Sequence, residues 1–166
     1  IVKDGVELAR GWHRKWGTDH AEKDALSRLK PREAAGATAY VTLEPCSTHG
    51  RTGACVEALI EAGIAKVVYG SRDPNPVHAG RADPILVGAG IEIRSGVCKE
   101  ECDHLIRGFA MVQNEGRPWV IAKTAMSLDG QITRPAGEGQ WLTGLEAREQ
   151  VQILRGEVDA IVTSGE

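Results

Sequence analysis

The sequence predicts an α/β fold in which parallel strands alternate with helices. Three observations support this prediction: short apolar runs rich in β-branched residues, amphipathic segments between them, and Gly or Pro at most of the junctions. A strand, a helix and a second strand in this order pair in parallel, because the helix carries the chain back along the sheet. A chain of 166 residues has room for one complete domain and part of another.

The first part of the pattern consists of a hairpin, two helices and one strand. Residues 1–12 are expected to form the hairpin, because Asp4-Gly5 suits a type I′ turn, in which both central residues have positive φ. Pro31 and Gly63 follow the two helices and end them. The other three elements are expected over residues 19–30 (helix), 38–43 (strand) and 55–62 (helix).

The alternation continues as far as Gly116-Arg117-Pro118, which interrupts the apolar pattern. We place a domain boundary there, with one domain over residues 1–115 and a second over 116–166. Before the boundary we expect strands over 65–69 and 91–93 and helices over 85–89 and 98–113. After it we expect strands over 119–125, 131–133 and 159–163, a turn over 127–130, and a helix opened by a T-x-x-E capping box at Thr143.

The composition argues against several functional classes. The chain has 20 Lys and Arg against 23 Asp and Glu, a formal charge of −3, which is unlike a nucleic-acid-binding surface. It has no apolar run near the ~18 residues of a membrane span, and no charged-then-apolar leader. Its 4 cysteines are unevenly spaced, so we expect reduced thiols and a cytoplasmic location. Both ends lie beside apolar runs, from which we expect a fragment of a longer protein.

The most specific constellation combines one histidine, two cysteines and one glutamate. His20, Cys46 and Cys55 are good Zn²⁺ ligands, and three protein ligands leave the fourth tetrahedral position to water, as in catalytic sites. Zinc lowers the pKa of such a water to about 7, and Glu22 is a candidate general acid/base beside it. Residues two apart do not share a helix face, so His20 and Glu22 converge only if His20 has non-helical dihedrals at a helix start. Thr18 or Asp19 is expected as the N-cap there.

The two cysteines are nine positions apart, which in one continuous helix would put them on opposite faces. Gly50 and Gly53 break such a helix, so the chain can fold Cys55 back to the metal at the start of its own helix. Other interpretations are that Glu22 only completes a capping box with Asp19, and that both cysteines are inert buried thiols. The order of the residues favours the metal site, because H-x-E followed by P-C is the signature of zinc deaminases.

The wider cysteine spacing points to one family. The segment ATAYVTLEPCSTHGRTGAC, which ends at Cys55, closely resembles the deaminase domain of the bifunctional riboflavin-biosynthesis enzymes, in which the same two cysteines are nine apart. Matching segments cover nearly the whole chain. They are Ile1-Val2-Lys3-Asp4-Gly5, His20-Ala21-Glu22, Asp73-Pro74-Asn75-Pro76, Ala79-Gly80-Arg81, Arg107-Gly108-Phe109, Arg117-Pro118-Trp119, Ser127-Leu128-Asp129-Gly130, Gln140-Trp141-Leu142-Thr143-Gly144 and the segment from Val151-Gln152 to Arg155.

This resemblance implies a cytidine-deaminase-like three-layer α/β/α domain, followed by the first elements of a dihydrofolate-reductase-like α/β domain. It implies hydrolytic removal of the 2-amino group from 2,5-diamino-6-(5-phosphoribosylamino)pyrimidin-4(3H)-one. In that reaction His20, Cys46 and Cys55 would hold zinc and Glu22 would move protons. The second domain of the family reduces the deaminated product with NADPH. Only its beginning is present here, so we do not expect this chain alone to catalyse the reduction.

The resemblance also points to substrate and cofactor residues. His49, Arg51 and Thr52 lie between the two cysteines and are candidates to line the deaminase pocket, where the planar donors of Arg51 suit a phosphate. In the reductase part, Ala125 and Trp141 match cofactor-contacting positions, and the substrate-contacting positions are Lys123, Gly139 and Arg155. Gly139 stands where the family usually has Ser, and Thr48 stands where it usually has His.

Two alternatives remain open. One is a nucleoside or tRNA deaminase of the same fold, and the other is a zinc-binding fragment without catalytic activity. The expected partner is a small-molecule substrate, with no nucleic acid and no membrane, and the sequence leaves a homo-oligomer open. Cys98 and Cys102 are four apart on one predicted helix face and can bind a metal or oxidise, although free thiols are the favoured interpretation.

Overall fold

The computed structural model describes residues 1–50 and 53–163. The chain divides into two compact units, Ile1–Trp119 and Val120–Glu166. Within the described residues, none of the helices combines the length and the apolar character that a membrane span requires. The units divide after Trp119, and the predicted division into domains after residue 115 stays a prediction.

The first unit is built on a five-stranded sheet with the strand order β2-β1-β3-β4-β5. β3, β4 and β5 are parallel, whereas β1 is antiparallel to both β2 and β3. This arrangement confirms the predicted α/β class. The strands are β1 (Val2–Lys3), β2 (Val6–Glu7), β3 (Thr38–Leu43), β4 (Lys66–Ser71) and β5 (Glu92–Ser95). The helices of this unit are α1 (Ala21–Leu26), α2 (Cys55–Glu61), α3 (Ala82–Gly88), α4 (Lys99–Leu105) and α5 (Arg107–Glu115).

Helices cover both faces of the sheet. On one face Tyr69 and Val67 of β4 pack in the buried core with Leu59 of α2 and Leu86 of α3, and α1 adds Leu26 at its edge. On the other face a Cβ added to Gly70 would lie 2.1 Å from the Sγ of Cys102, which places α4 directly against β4. Neighbouring positions of a strand point to opposite faces, so these contacts define the predicted three layers.

The N-terminal hairpin forms with a shorter second strand than predicted. Asp4 and Gly5 have φ of 51° and 78°, as a type I′ turn requires. β2 ends at Glu7, so the expected extension to residue 12 is wrong. The chain leaves the sheet because Gly11 packs against α1: an added Cβ there would lie 2.3 Å from the backbone oxygen of Ala21.

Two predicted helices differ from the observed ones. The helix predicted over residues 19–30 is only α1, Ala21–Leu26, because the Ser27 hydroxyl donates to the Asp24 carbonyl (2.9 Å) and competes with further helical bonds. The helix predicted over 98–113 is divided at Ile106, whose φ of −100° and ψ of 8° end α4 before α5 begins. Gly108 lowers the helical propensity just after the break.

The second unit contains one helix within its described residues, α6 (Leu145–Gly156). The strands predicted over 119–125, 131–133 and 159–163 are wrong, since these segments are irregular. A strand needs a hydrogen-bonded neighbour, and the described part of this unit supplies none to them. The predicted turn forms, with Gly130 N–H donating to the Ser127 carbonyl (3.0 Å). The N-cap of α6 is Gly144, without a side-chain bond, so the capping box at Thr143 is also wrong.

Candidate metal centre

Three side chains that are distant in sequence converge at the carboxyl end of β3. The ligand atoms of His20, Cys46 and Cys55 all lie within 4.8 Å of one another. The Nδ1 of His20 lies 3.5 Å from the Cys46 Sγ and 3.4 Å from the Cys55 Sγ. Zn–N near 2.0 Å and Zn–S near 2.3 Å in a tetrahedral site separate nitrogen from sulfur by about 3.5 Å. The donor set and its spacing therefore fit a zinc ion.

His20 occupies the position that the metal hypothesis requires. It precedes α1 with φ −70° and ψ 164°, so the predicted non-helical conformation at a helix start is confirmed. The N-cap is His20 itself and neither Thr18 nor Asp19, because the Thr18 hydroxyl is bound to the Lys15 carbonyl (2.7 Å). The His13 ring packs edge-on against the His20 ring, with centroids 5.3 Å apart.

The two cysteines meet because a strand end and a helix start lie side by side. Cys55 is the first residue of α2, as predicted, and its N–H donates to the Cys46 Sγ (3.2 Å). The hydrogen bond from the Cys55 thiol lowers the pKa of Cys46 to about 5, and the same contact, together with burial, raises the pKa of Cys55. The contact between the two sulfur atoms therefore favours a single thiolate in this pair.

Glu22 lies behind this cluster, in the first turn of α1. Its side chain is buried and interacts with the Cys55 thiol. Burial raises the pKa of Glu22, since the charged form loses its water. The capping-box alternative is wrong: the N-cap of α1 is His20 and makes no side-chain capping bond. A carboxyl group in this position, beside a metal-ligand cluster, is a candidate to accept and donate a proton.

The segment between the cysteines is only partly described. His49 is exposed and its Nε2 lies 2.9 Å from the Glu57 carboxylate, so its ring faces α2. Arg51 and Thr52 lie outside the described residues. The pocket-lining roles of these three residues stay predictions. Thr48 faces the loop after β4, where its hydroxyl lies 3.3 Å from the Nδ1 of His78.

Sequence reasoning missed one buried acidic residue, Glu44. Its carboxylate accepts hydrogen bonds from the backbone N–H groups of Asp73 (3.3 Å), Gly80 (3.0 Å) and Ala82 (3.2 Å). The only signal in the sequence is an acidic residue directly after a buried strand and before Pro45. Its three partners are 29 to 38 positions away, which no local pattern indicates.

The residues predicted for the reductase part lie in the second unit, and their roles stay predictions. Lys123 and Ala125 belong to an irregular segment, and Gly139 has a φ of 93°. Trp141 is exposed, with the Arg148 guanidinium 4.8 Å from its ring centre, and Arg155 lies in the last turn of α6.

The remaining two cysteines are free thiols. Cys98 precedes α4 as its exposed N-cap residue, whereas Cys102 is buried inside the helix. The prediction that both share one helix face is therefore wrong, because Cys98 has a left-handed backbone (φ 50°) that is not helical.

The fold and the cluster together define a class: a deaminase-type α/β domain with a zinc-binding region. The family model described as "cytidine and deoxycytidylate deaminase zinc-binding region" matches residues 1–71, and the model of the "RibD C-terminal domain" matches residues 118–166. The riboflavin biosynthesis protein RibD of Escherichia coli is 48% identical over 164 residues, which are 99% of this chain and 44% of that protein.

Solved structures agree with these matches. Acinetobacter baumannii RibD superposes with a TM-score of 0.81 at 46% identity, covering 94% of this chain and 44% of that one. The diaminohydroxyphosphoribosylaminopyrimidine deaminase/5-amino-6-(5-phosphoribosylamino)uracil reductase of Thermotoga maritima also gives 0.81, at 41% identity over 93% of this chain and 44% of its own. This chain is a RibD-like protein, and it spans less than half the length of the relatives that it matches.

Proposed function

We propose that the first unit is a zinc-dependent deaminase of riboflavin biosynthesis that acts on 2,5-diamino-6-(5-phosphoribosylamino)pyrimidin-4(3H)-one. The observation that carries the proposal is the convergence of His20, Cys46 and Cys55 with the carboxyl group of Glu22 buried behind them. The substrate is assigned from the similarity to the Thermotoga maritima enzyme, whose name specifies a diaminopyrimidine ribotide.

Each residue has a defined part in this proposal. His20, Cys46 and Cys55 hold the zinc ion, which when bound makes a water acidic enough to ionise near neutral pH. Glu22 accepts a proton at its carboxylate and returns it to the amine nitrogen that leaves as ammonia. Its raised pKa suits both steps, since a group that must accept and donate works best when its pKa is near the working pH.

The test is ammonia release from this ribotide by the zinc-loaded chain and by Glu22→Gln. We expect the variant to keep its zinc and to lose about 10²- to 10⁴-fold in kcat, the usual contribution of a general acid/base. Glu92→Gln, an exposed carboxylate-to-amide change on β5, should keep wild-type turnover. Loss of zinc in Glu22→Gln would contradict the assignment of Glu22 to proton transfer. Release of ammonia from cytidine or tRNA, but not from the ribotide, would favour the nucleoside or tRNA deaminase.

We also propose that residues 116–166 begin a reductase domain that uses NADPH in the full-length protein. The match of the RibD C-terminal model to residues 118–166 supports this. Ala125 and Trp141 would contact the cofactor, and Lys123, Gly139 and Arg155 the ribose-bearing substrate. In the full-length protein, Trp141→Ala should slow NADPH oxidation and leave ammonia release unchanged. Equal loss of both activities would contradict separate sites.

A cytoplasmic location and a small-molecule substrate complete the proposal. The four cysteines are free and the net charge is −3, which favours a reducing compartment and disfavours an extended nucleic-acid partner. Light scattering on the purified chain measures whether it forms a homo-oligomer.

A further inference from the structure

Glu44 anchors the loop that follows β4. It lies two positions before Cys46 and is only 3% exposed. One carboxylate oxygen, Oε2, accepts the N–H groups of Asp73 (3.3 Å) and Gly80 (3.0 Å), and Oε1 accepts that of Ala82 (3.2 Å). All three donors belong to one segment, residues 73–82, which connects β4 to α3. A single side chain therefore holds both ends of this segment.

Packing does little to hold the middle of the segment, since only its two ends, Asp73 and Ala82, are buried. None of residues 74–81 is buried, and Val77 is 53% exposed. The segment is shaped instead by polar contacts, among them the Asn75 side chain, which accepts the Val77 N–H (2.9 Å). Hydrogen bonds to a charged acceptor are stronger than neutral ones, so the three bonds to Glu44 connect this segment strongly to the end of β3.

The segment in turn contacts the chain between the two cysteines. The Nδ1 of His78 lies 3.3 Å from the hydroxyl of Thr48, two positions after Cys46. His78 is itself fixed in a turn, since its N–H donates to the Asn75 carbonyl (2.8 Å). A chain of contacts thus runs from Glu44 through residues 73–82 to Thr48.

We propose that Glu44 is a positioning residue of the deaminase site, which acts by placing His78 so that it holds Thr48 beside the metal ligands. This inference rests on the proposed deaminase function. The described hydrogen bonds of the Glu44 side chain go to residues 73–82 and not to the ligand atoms or to Glu22. Loss of the anchor should therefore leave zinc and proton transfer in place and weaken the binding of substrate.

The first test is Glu44→Gln, which keeps the size of the side chain but turns one acceptor oxygen into a donor that faces a backbone N–H. We expect one zinc per chain, a KM for the ribotide raised about tenfold, and a kcat within about threefold of wild type. Ile91→Ala is the control: it removes a buried side chain from the opposite end of the sheet and should lower thermal stability without changing KM. A KM for Glu44→Gln no higher than that of Ile91→Ala would overturn the proposal.

A double-variant cycle separates positioning from general destabilisation. If Glu44 acts through His78, then Glu44→Gln should raise KM much less in a His78→Ala background than in the wild type. Additive effects would overturn the proposal. If Glu44→Gln does not fold, Thr48→Val takes its place in the test. It removes the hydroxyl that contacts His78 and keeps nearly the same side-chain shape. An unchanged KM in that variant would also overturn it.

Hydrogen exchange supplies a readout that does not depend on turnover. In the zinc-loaded chain, Glu44→Gln should speed amide exchange in residues 73–82 and also in residues 46–50, whereas Ile91→Ala should leave 46–50 unchanged. Unchanged exchange in 46–50 would overturn the proposal. If the wild-type chain releases no ammonia, the deaminase function fails, and the exchange of 46–50 alone then decides whether Glu44 positions this segment.

Discussion

At the scale of single residues, the four cysteines differ in their surroundings and therefore in their reactivity. Cys46 and Cys55 face His20, Cys98 is exposed, and Cys102 is buried against Gly70. Burial raises the pKa of Cys102. Only the thiolate reacts with alkylating reagents, and only where they can reach it. Burial therefore protects Cys102 in two ways: it lowers the fraction of thiolate and it keeps the reagent away.

We expect iodoacetamide at neutral pH to modify Cys98 at least about tenfold faster than Cys102 in the folded, zinc-loaded chain. Mass spectrometry of peptides over a time course measures both rates. In urea the two rates should become similar, because the surroundings of Cys102 are lost. Equal rates in the folded chain would contradict the placement of α4 on the sheet.

The metal cluster could be predicted from the sequence, whereas the hydrogen bonds of Glu44 near it could not. The spacing of the cluster residues predicts that His20 and Cys55 lie at helix starts and that Cys55 returns to Cys46. In the structure His20 is the N-cap of α1, Cys55 begins α2, and the ligand atoms of His20, Cys46 and Cys55 converge. The predicted N-cap of α1, Thr18 or Asp19, is wrong, and the Thr18 hydroxyl is bound to the Lys15 carbonyl instead. The position of Glu44 depends on backbone N–H groups at least 29 residues away, which a sequence pattern does not contain.

At the scale of elements, one carboxylate connects α4 to the sheet. The Ser71 hydroxyl at the end of β4 donates to Asp103 (2.6 Å), and Lys99 pairs with the same side chain. These bonds, that of Lys99 first, lower the pKa of Asp103 below its ordinary value. A carboxyl group with a lowered pKa in the folded state stabilises the fold above its unfolded pKa of about 3.9, and this contribution is lost as the pH falls through the folded value.

Asp103→Asn should therefore lower the urea midpoint at pH 7, and the difference from wild type should close below about pH 4. Urea unfolding at several pH values measures this difference. Asp159→Asn, the same change at an exposed position of the second unit, should show no such dependence. A difference that is equally large at pH 3 and pH 7 would contradict the role of the charged carboxylate.

The contact of α4 with the sheet gives a second prediction for this scale. In Gly70→Ala the new Cβ would lie 2.1 Å from the Cys102 Sγ and 3.0 Å from the Thr42 carbonyl oxygen. We expect this overpacking to lower the free energy of unfolding by about 1–3 kcal/mol. Gly88→Ala, at a helical position where the new Cβ would meet no atom within 4 Å apart from its chain neighbours and the backbone of its own helix, should be neutral or stabilise by up to about 1 kcal/mol. Denaturant unfolding of both variants decides between these outcomes.

Elements with strong local signals could be predicted closely. The strand over 38–43 matches β3, because its β-branched and aromatic run is bounded on both sides. The helix predicted over 98–113 was a single periodic pattern, and its break at Ile106 has no comparable signal in the sequence. The helix predicted over 19–30 is longer than α1, because the hydrogen bond of the Ser27 hydroxyl to the backbone ends α1 early.

At the scale of the whole molecule, the two units differ in how far the sequence predicts them. In the first unit the predicted strands β3, β4 and β5 pair with one another, so the strand propensity of each segment and the observed sheet agree. In the second unit, apolar runs such as 159–163 have a high strand propensity. They have no partner strand among the described residues, so they are irregular. Strand propensity states only that a segment fits a sheet, whereas the sheet itself has to be supplied by other segments.

At this scale we expect the first unit to fold so that the three ligand side chains, which come from separate elements, meet at one zinc ion. The most direct measurement is the zinc content of the purified chain, of Cys55→Ser and of Cys98→Ser. We expect one zinc per chain for the wild type and for Cys98→Ser, and loss of the zinc in Cys55→Ser. A wild-type chain without zinc, or equal zinc in all three proteins, would contradict it.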